Sequence, residues 1–330
     1  MRYGILLWPH ANARYEKAVL PLAEFELRSL LRAAGLPGDV LVVSAAGRDL
    51  LTFECDPLTE DQAALLRHHS SLLMCCALDD CRRMMPLFGR GEAALGDDLG
   101  GILKYRGKTN EAFTRFLIDL AFLFGDHRSA EPFVLFDPMC GRGTTMFEAL
   151  NLGFSAIGAD IRSSDLDEGA RFLKKYLEEG RFKHQIRKAS RTIPGGHVPL
   201  THFTMETARG ALTADFLAGD AAAAAAAMGK SFCHATVCDL PYGVQHGPGK
   251  GESLEKLTER VLKALFSAIK PGGCVVLSFN TFTLKTNSVY GMMEKAGFEP
   301  LTGDGFDTLR HRVEQAIVRD VAVGKRAQNR

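Results

Sequence analysis

Residues Val134 to Leu150 read VLFDPMCGRGTTMFEAL: an apolar run closing on an aspartate, a turn with two glycines, and a helix-like tail. Glycine lacks a side chain and tolerates unusual dihedrals, so Gly141 and Gly143 let backbone N–H groups approach a ligand where a helix begins. The turn alone does not say which ligand. A phosphate loop ends in GK[ST], and GRGTT has no lysine; a G-x-G-x-x-G fingerprint needs a third glycine, and position 146 is Met146. The next strand candidate, FSAIGAD, ends at Asp160, about twenty residues past the turn, where an acidic side chain accepts hydrogen bonds from ribose hydroxyls. By itself Asp160 would be an ordinary strand-end turn residue. Its spacing from the glycines favours a nucleoside without a pyrophosphate.

Strand-like segments recur around this stretch: PFVLFD, FSAIGAD, HATVCD, CVVLSF and VEQAIVR, with helical segments between them. TNEAFTRFLIDLAFLF spaces Phe113, Phe116, Leu117, Leu120 and Phe124 at helical intervals, with Thr109 or Asn110 as N-cap. The alternation predicts an α/β fold with a doubly wound, mostly parallel sheet, whose ligands bind beyond the carboxyl ends of the strands. Three of the five candidates end in aspartate. Residues 1–100 read as a smaller α/β N-terminal domain, with strand candidates YGILLW and DVLVVSA and a helix from Tyr15 to Ala34 ended by Gly35. GRGEAALGDDLGG, Gly89 to Gly101, reads as the linker, and residues 101–330 as a second domain with a basic insertion around 171–215. The run of alanines at 221–227 predicts a helix without chemistry.

The chain has 330 residues, 46% hydrophobic and 24% charged, which excludes a disordered chain. No apolar run reaches the roughly 18 residues of a membrane span, and the opening MRYGILLWPHANARYEK has too short an apolar stretch for a signal peptide. The expectation is a cytoplasmic protein without a membrane partner. Eight cysteines are scattered without a CxxC pair, so buried, reduced thiols are expected; Cys75, Cys76 and Cys81 near His68 and His69 do not make zinc spacing, and no metal is expected. Net charge is +1, but Arg171 to Arg191, RFLKKYLEEGRFKHQIRKASR, holds 8 basic and 2 acidic residues. Arg181, Lys183, Arg187, Lys188 and Arg191 are therefore candidate phosphate contacts of a nucleic acid, with Phe182 as a stacking side chain; the alternative is a solvated helix face.

The most specific stretch is CDLPYGVQHGPGKG, residues 238–251. Asp239 ends a strand, Pro241 stiffens the exit and Tyr242 offers an aromatic face. An exocyclic nucleobase amine is a poor nucleophile because its lone pair is delocalised into the ring. Acceptors aimed at its two N–H bonds, the Asp239 carboxylate and the Leu240 carbonyl, favour a pyramidal nitrogen, and a stacked ring orients the base. Together, DPMCGRGTT, GADI and DLPY resemble the class I S-adenosyl-L-methionine-dependent amino-methyltransferases, with their [DN]-P-P-[YFW] motif. KYRGKTNEAFTRFLIDLAFLF ahead of the glycine turn is similar to the layout of the THUMP-associated tRNA guanine-N2 methyltransferases, the UPF0020-type RNA methylases.

The resemblance covers roughly residues 101–320 and implies a Rossmann-like class I methyltransferase fold. It implies that Asp137, Cys140, Gly141 and Gly143 line the methionine end of the cofactor, and that Thr109 and Asn110 help hold its carboxylate. Asp160 would bind the ribose, Ile161 would pack on adenine and Asp220 would meet the adenine amine. Asp239, Leu240, Pro241 and Tyr242 would form the target-amine site, with tRNA as substrate, no metal, and room for an accessory protein subunit. Residues 1–100 would be a substrate-binding or THUMP-like module. The family's first proline is Leu240 here, which keeps the carbonyl and loses ring rigidity. A DNA adenine-N6 or cytosine-N4 methyltransferase shares the chemistry; a cofactor- or RNA-binding partner protein without catalysis is the alternative from another class.

Overall fold

A computed structural model describes residues 1–10, 13–45, 47–79, 83–103, 108–241 and 252–328. The chain forms two compact units, residues 1–92 with 302–315, and residues 93–301 with 316–330. In the first unit, β1 (Arg2–Leu7), α1 (Ala13–Ala33), β2 (Leu41–Ala45), β3 (Arg48–Glu54), α2 (Glu60–Leu66), β4 (Leu72–Leu78) and β5 (Met84–Gly89) build one sheet in the order β2-β3-β1-β4-β5. Its pairs are antiparallel, and Tyr3, Ile5, Leu51, Phe53 and Cys75 fill its core. Thr59 caps α2 through a reciprocal capping box with Gln62. Residues 302–315 return to this unit late in the chain, where Phe306 meets Phe25 edge to face, centroids 4.9 Å apart.

The second unit contains α3 (Leu99–Ile102), α4 (Glu111–Leu123), β6 (Val134–Asp137), α5 (Thr144–Asn151), β7 (Ser155–Asp160), α6 (Ser163–Glu179), β8 (His184–Ile193), β9 (Gly196–Thr207) and β10 (Gly210–Ala218). It continues with α7 (Ala221–Met228), β11 (Cys233–Asp239), α8 (Leu254–Ala268), β12 (Ile269–Asn280), α9 (Thr286–Ala296) and β13 (Phe298–Pro300). After β14 (His311–Glu314), β15 (Ile317–Arg326) completes the large sheet, ordered β13-β15-β12-β11-β6-β7-β10-β9-β8. β10, β7, β6, β11 and β12 run parallel; β15 and β9 are reversed beside them, and β13 and β8, paired antiparallel to those two, run again in the central direction. This is a Rossmann-like, doubly wound sheet, as the resemblance implies. From β6 the chain winds one way through β7 and β10 and then the other way through β11 and β12, so the switch point opens between β6 and β11.

The expected strands are present, and VEQAIVR divides: its first residues end β14 and the rest start β15. The supposed linker is partly structured, because Ala94, Leu95 and Leu99 are buried and the Ala94 N–H donates to the Asn151 carbonyl at 2.9 Å. Within the basic insertion lie three strands that the sequence reading passed over, β8, β9 and β10, the last a parallel member of the central sheet. The signal of β9 and β10 was alternation, with Phe203 and Met205 buried against Leu212, Ala214 and Phe216 across the Thr207–Gly210 turn, whereas β8 is exposed. No helix among the described residues is long and apolar enough to cross a membrane.

Candidate functional site

The glycine turn is shaped by its backbone. Gly141 and Gly143 take φ of 53° and 95°, values that strain any residue with a Cβ, and open space lies over Gly141. Gly143 stands immediately before α5. Cys140 fixes the turn to the neighbouring strand, its N–H donating to the Ala159 carbonyl at 2.9 Å. Arg142 fixes it to α6 through Asp165 at 3.1 Å and Glu168 at 2.8 Å.

Three carboxylates line the rim of adjacent strands β7, β6 and β11: Asp160, Asp137 and Asp239. Asp160 is held by two backbone donors, Gly141 N–H to Oδ2 and Arg162 N–H to Oδ1, each 2.9 Å. A carboxylate has about four lone-pair sites, so a locked Asp160 retains acceptor capacity for hydroxyls. Beside it Ile161 stands 74% exposed, an apolar face at the rim with no cover. Asp137 is buried and accepts the Met139 N–H at 3.0 Å. Burial pushes its carboxyl up to about 7; the Met139 and Thr145 hydrogen bonds oppose this, and the negative charges of Asp239 and Asp160 add to it. Burial, with Asp137 and Asp160 nearby, also holds the Cys140 thiol well above its ordinary value, so Cys140 lines the turn as a neutral thiol.

Asp239 is gripped from α4's approach: the Thr109 hydroxyl donates to its Oδ2 at 2.7 Å, joining residues 130 apart in sequence. Asn110 caps α4, its Oδ1 accepting the Phe113 N–H at 3.1 Å. Thr109 therefore ties the approach to α4 to the Asp239 rim, and Asn110 starts the helix itself. The buried pair Arg115 and Glu148, 2.5 Å apart, ties α4 to α5. Leu240 explains the departure from proline: its N–H donates to the Ser278 carbonyl at 2.8 Å and its side chain is 1% exposed in the core. A proline there would lack the donor. The backbone is pinned by that bond and by burial in place of a ring. Pro241 follows, half-buried, while Tyr242 and His246 lie outside the described residues.

Asp220 sits past β10, the strand next to β7, where it caps α7 through the Ala223 N–H at 2.8 Å and pairs with Arg260 at 2.6 Å. Arg260 also holds Glu252. Of the basic stretch, Arg171, Lys174 and Lys175 are on α6, whereas the five candidate phosphate contacts are not on a helix. Arg181 takes φ of 55° in the turn after α6, Lys183 pairs with Glu206 at 2.6 Å, and Arg187, Lys188 and Arg191 lie on the exposed edge strand β8. Strand alternation puts Arg187 and Arg191 on one face and Lys188 on the other. On the face of Arg187, His202 meets Asp215 at 2.5 Å. Cations on an edge strand also block strand addition, a role that needs no ligand.

The donor set suits S-adenosyl-L-methionine: clustered carboxylates for a cation, a locked aspartate for ribose, and an exposed isoleucine for the base. A family described as UPF0020, RMKL-like, methyltransferase domain, matches residues 126–299, more than half of the chain. No curated protein matches the chain. Among solved structures, a TehB-like S-adenosylmethionine-dependent methyltransferase from Corynebacterium glutamicum is 15% identical over 67% of this chain and 90% of its own, with a TM-score of 0.41. An rRNA methylase from Streptococcus thermophilus is 10% identical, covering 68% and 100%, with a TM-score of 0.39. A magnesium protoporphyrin IX methyltransferase from Synechocystis, with bound S-adenosylmethionine, is 14% identical, covering 70% and 90%, with a TM-score of 0.39.

Proposed function

The chain belongs to the UPF0020 family of RMKL-like methyltransferase domains, and from that premise we propose that it methylates an exocyclic nucleobase amine, guanine N2 in tRNA. S-adenosyl-L-methionine is the cofactor and supplies an electrophilic methyl group. The observation that carries the reading is Asp239, fixed by the Thr109 hydroxyl one strand away from the glycine turn. That arrangement supports reading Asp239 as an amine acceptor next to the cofactor.

The residues work chiefly by positioning. Asp137, Cys140, Gly141 and Gly143 line the methionine end, with Thr109 and Asn110 at its carboxylate. Asp160 takes the ribose, and Ile161 and Asp220 flank the adenine. The Asp239 carboxylate and the Leu240 carbonyl accept the two amine N–H bonds and favour a pyramidal nitrogen, Pro241 stiffens the chain's exit, and Tyr242 stacks on the base. The nitrogen's new bond to the methyl carbon would replace that carbon's bond to the cofactor sulfur, which would be left as a neutral thioether, and the surplus proton of the amine leaves along the hydrogen bond to Asp239. Arg181, Lys183, Arg187, Lys188 and Arg191 meet backbone phosphates, which sets position and not sequence.

Methyl-labelled cofactor incubated with unmodified tRNA, total RNA, duplex DNA and a metabolite extract tests the reading. Label in tRNA released as N2-methylguanosine on digestion is the expected result. Label confined to DNA or to small molecules contradicts the tRNA assignment, and label nowhere contradicts catalysis on these substrates.

A further inference from the structure

Among the described residues of the second unit, four large apolar side chains stand exposed: Ile102, Ile161, Ile186 and Phe282. Two of them sit just past rim strands, Ile161 after β7 and Phe282 after β12, and Phe282, at 56% exposed, is the aromatic one. An exposed phenylalanine on a loose loop would mean little. Phe282 is not on one. Asn280, 3% exposed, accepts the Phe282 and Val318 N–H groups at its Oδ1, each at 3.2 Å, and donates from Nδ2 to the Ala316 carbonyl at 3.2 Å. The Thr281 N–H donates to the Val318 carbonyl at 2.8 Å. Thr281 and Leu284 on either side are buried at 3% and 1%. The turn can bury side chains and holds this ring in water.

Its place on the rim gives the reason. Along the rim the order is Asp160 at the end of β7 with Ile161 just past it, Asp137 on β6, Asp239 on β11, then Phe282 past β12. Asp239 is paired with Ser278, so Asn280 lies two residues beyond the level of Asp239 on the adjacent strand. With strands about 4.8 Å apart and a rise of about 3.3 Å per residue, that puts their Cα atoms roughly 8 Å from each other. A planar ring whose amino group meets Asp239 is within reach of Phe282. Resting on the amine-methyltransferase reading above, we infer that Phe282 is a stacking wall for the target nucleobase. Ile161 and Phe282 thus bracket the three carboxylates, one serving the cofactor's base and the other the substrate's. Every base presents a π-face, so the wall contributes affinity and orientation, more for a purine than for a pyrimidine.

The test compares wild type with Phe282→Ala, Phe282→Leu and Phe282→Trp, each assayed for kcat/KM on unmodified tRNA at saturating cofactor and for cofactor affinity by calorimetry. The Ala and Leu variants are expected to lose about 10- to 100-fold in kcat/KM, from the range measured for base–aromatic stacking. The Trp variant retains activity, and cofactor affinity is unchanged in all three. Unchanged cofactor affinity also reports a folded protein. A Leu variant as active as wild type reduces the site to apolar surface and overturns stacking. Unchanged activity in the Ala variant, with wild type labelling tRNA, overturns this inference alone. A wild type that labels no nucleic acid overturns the underlying reading and this inference with it.

Discussion

At Leu240 one backbone hydrogen bond replaces a ring. The N–H that a proline would lack is spent on the Ser278 carbonyl, and the side chain is core. Leu240→Pro, a change toward the family motif, is therefore expected to destabilise this chain, by roughly 1–3 kcal/mol for the lost bond alone. Denaturant unfolding measures it; a variant as stable as wild type would show the bond to be dispensable. Asp137 sets a pH dependence. Its value in the fold, about 7, lies above its ordinary 3.8, so its stabilising contribution is full below pH 4 and is lost as pH rises through 7. A bound cation favours the ionised form, so cofactor affinity should tighten as pH rises from 6 to 8, and Asp137→Asn should flatten that profile. Calorimetry across this range is the check, and equal slopes would remove Asp137 from the cofactor's surroundings. The strand-end aspartates and the glycines were legible because strand-to-turn chemistry is local. The Thr109 bond to Asp239 was not, because it joins positions 130 residues apart.

At the scale of elements, the parallel strands were readable where they were apolar and ended in aspartate. β8, β9 and β10 were not: β8 is exposed along nearly its whole length and carries no buried apolar face, and β9 mixes Thr and His with its apolar residues, which dilutes the alternation. The same strands change the reading of the basic stretch. A helix would have gathered its cations along one side, whereas β8 divides them by pleat and leaves Arg187 and Arg191 as the pair on one face. If both meet phosphates, Arg187→Ala with Arg191→Ala should weaken tRNA binding and lower the slope of log K against log salt by about two. Binding titrations from 50 to 200 mM salt test this; an unchanged slope would leave the two arginines as guards of an edge strand.

At the scale of the whole molecule, the second unit carries every described residue assigned to cofactor or amine, and the first unit is completed by residues 302–315, a late return that no local pattern announces. Within the second unit, the central claim is a division along one rim: Asp160 on β7 belongs to the cofactor, and Asp239 on β11 to the amine. The direct test is to measure cofactor affinity and single-turnover methyl transfer to tRNA on both Asp160→Ala and Asp239→Ala. The account predicts that Asp239→Ala keeps cofactor affinity and loses transfer by about 100-fold or more, the scale of losing a positioned electrostatic group, while Asp160→Ala loses cofactor affinity first. Equal transfer by Asp239→Ala and wild type, or unchanged cofactor affinity in Asp160→Ala, would contradict it.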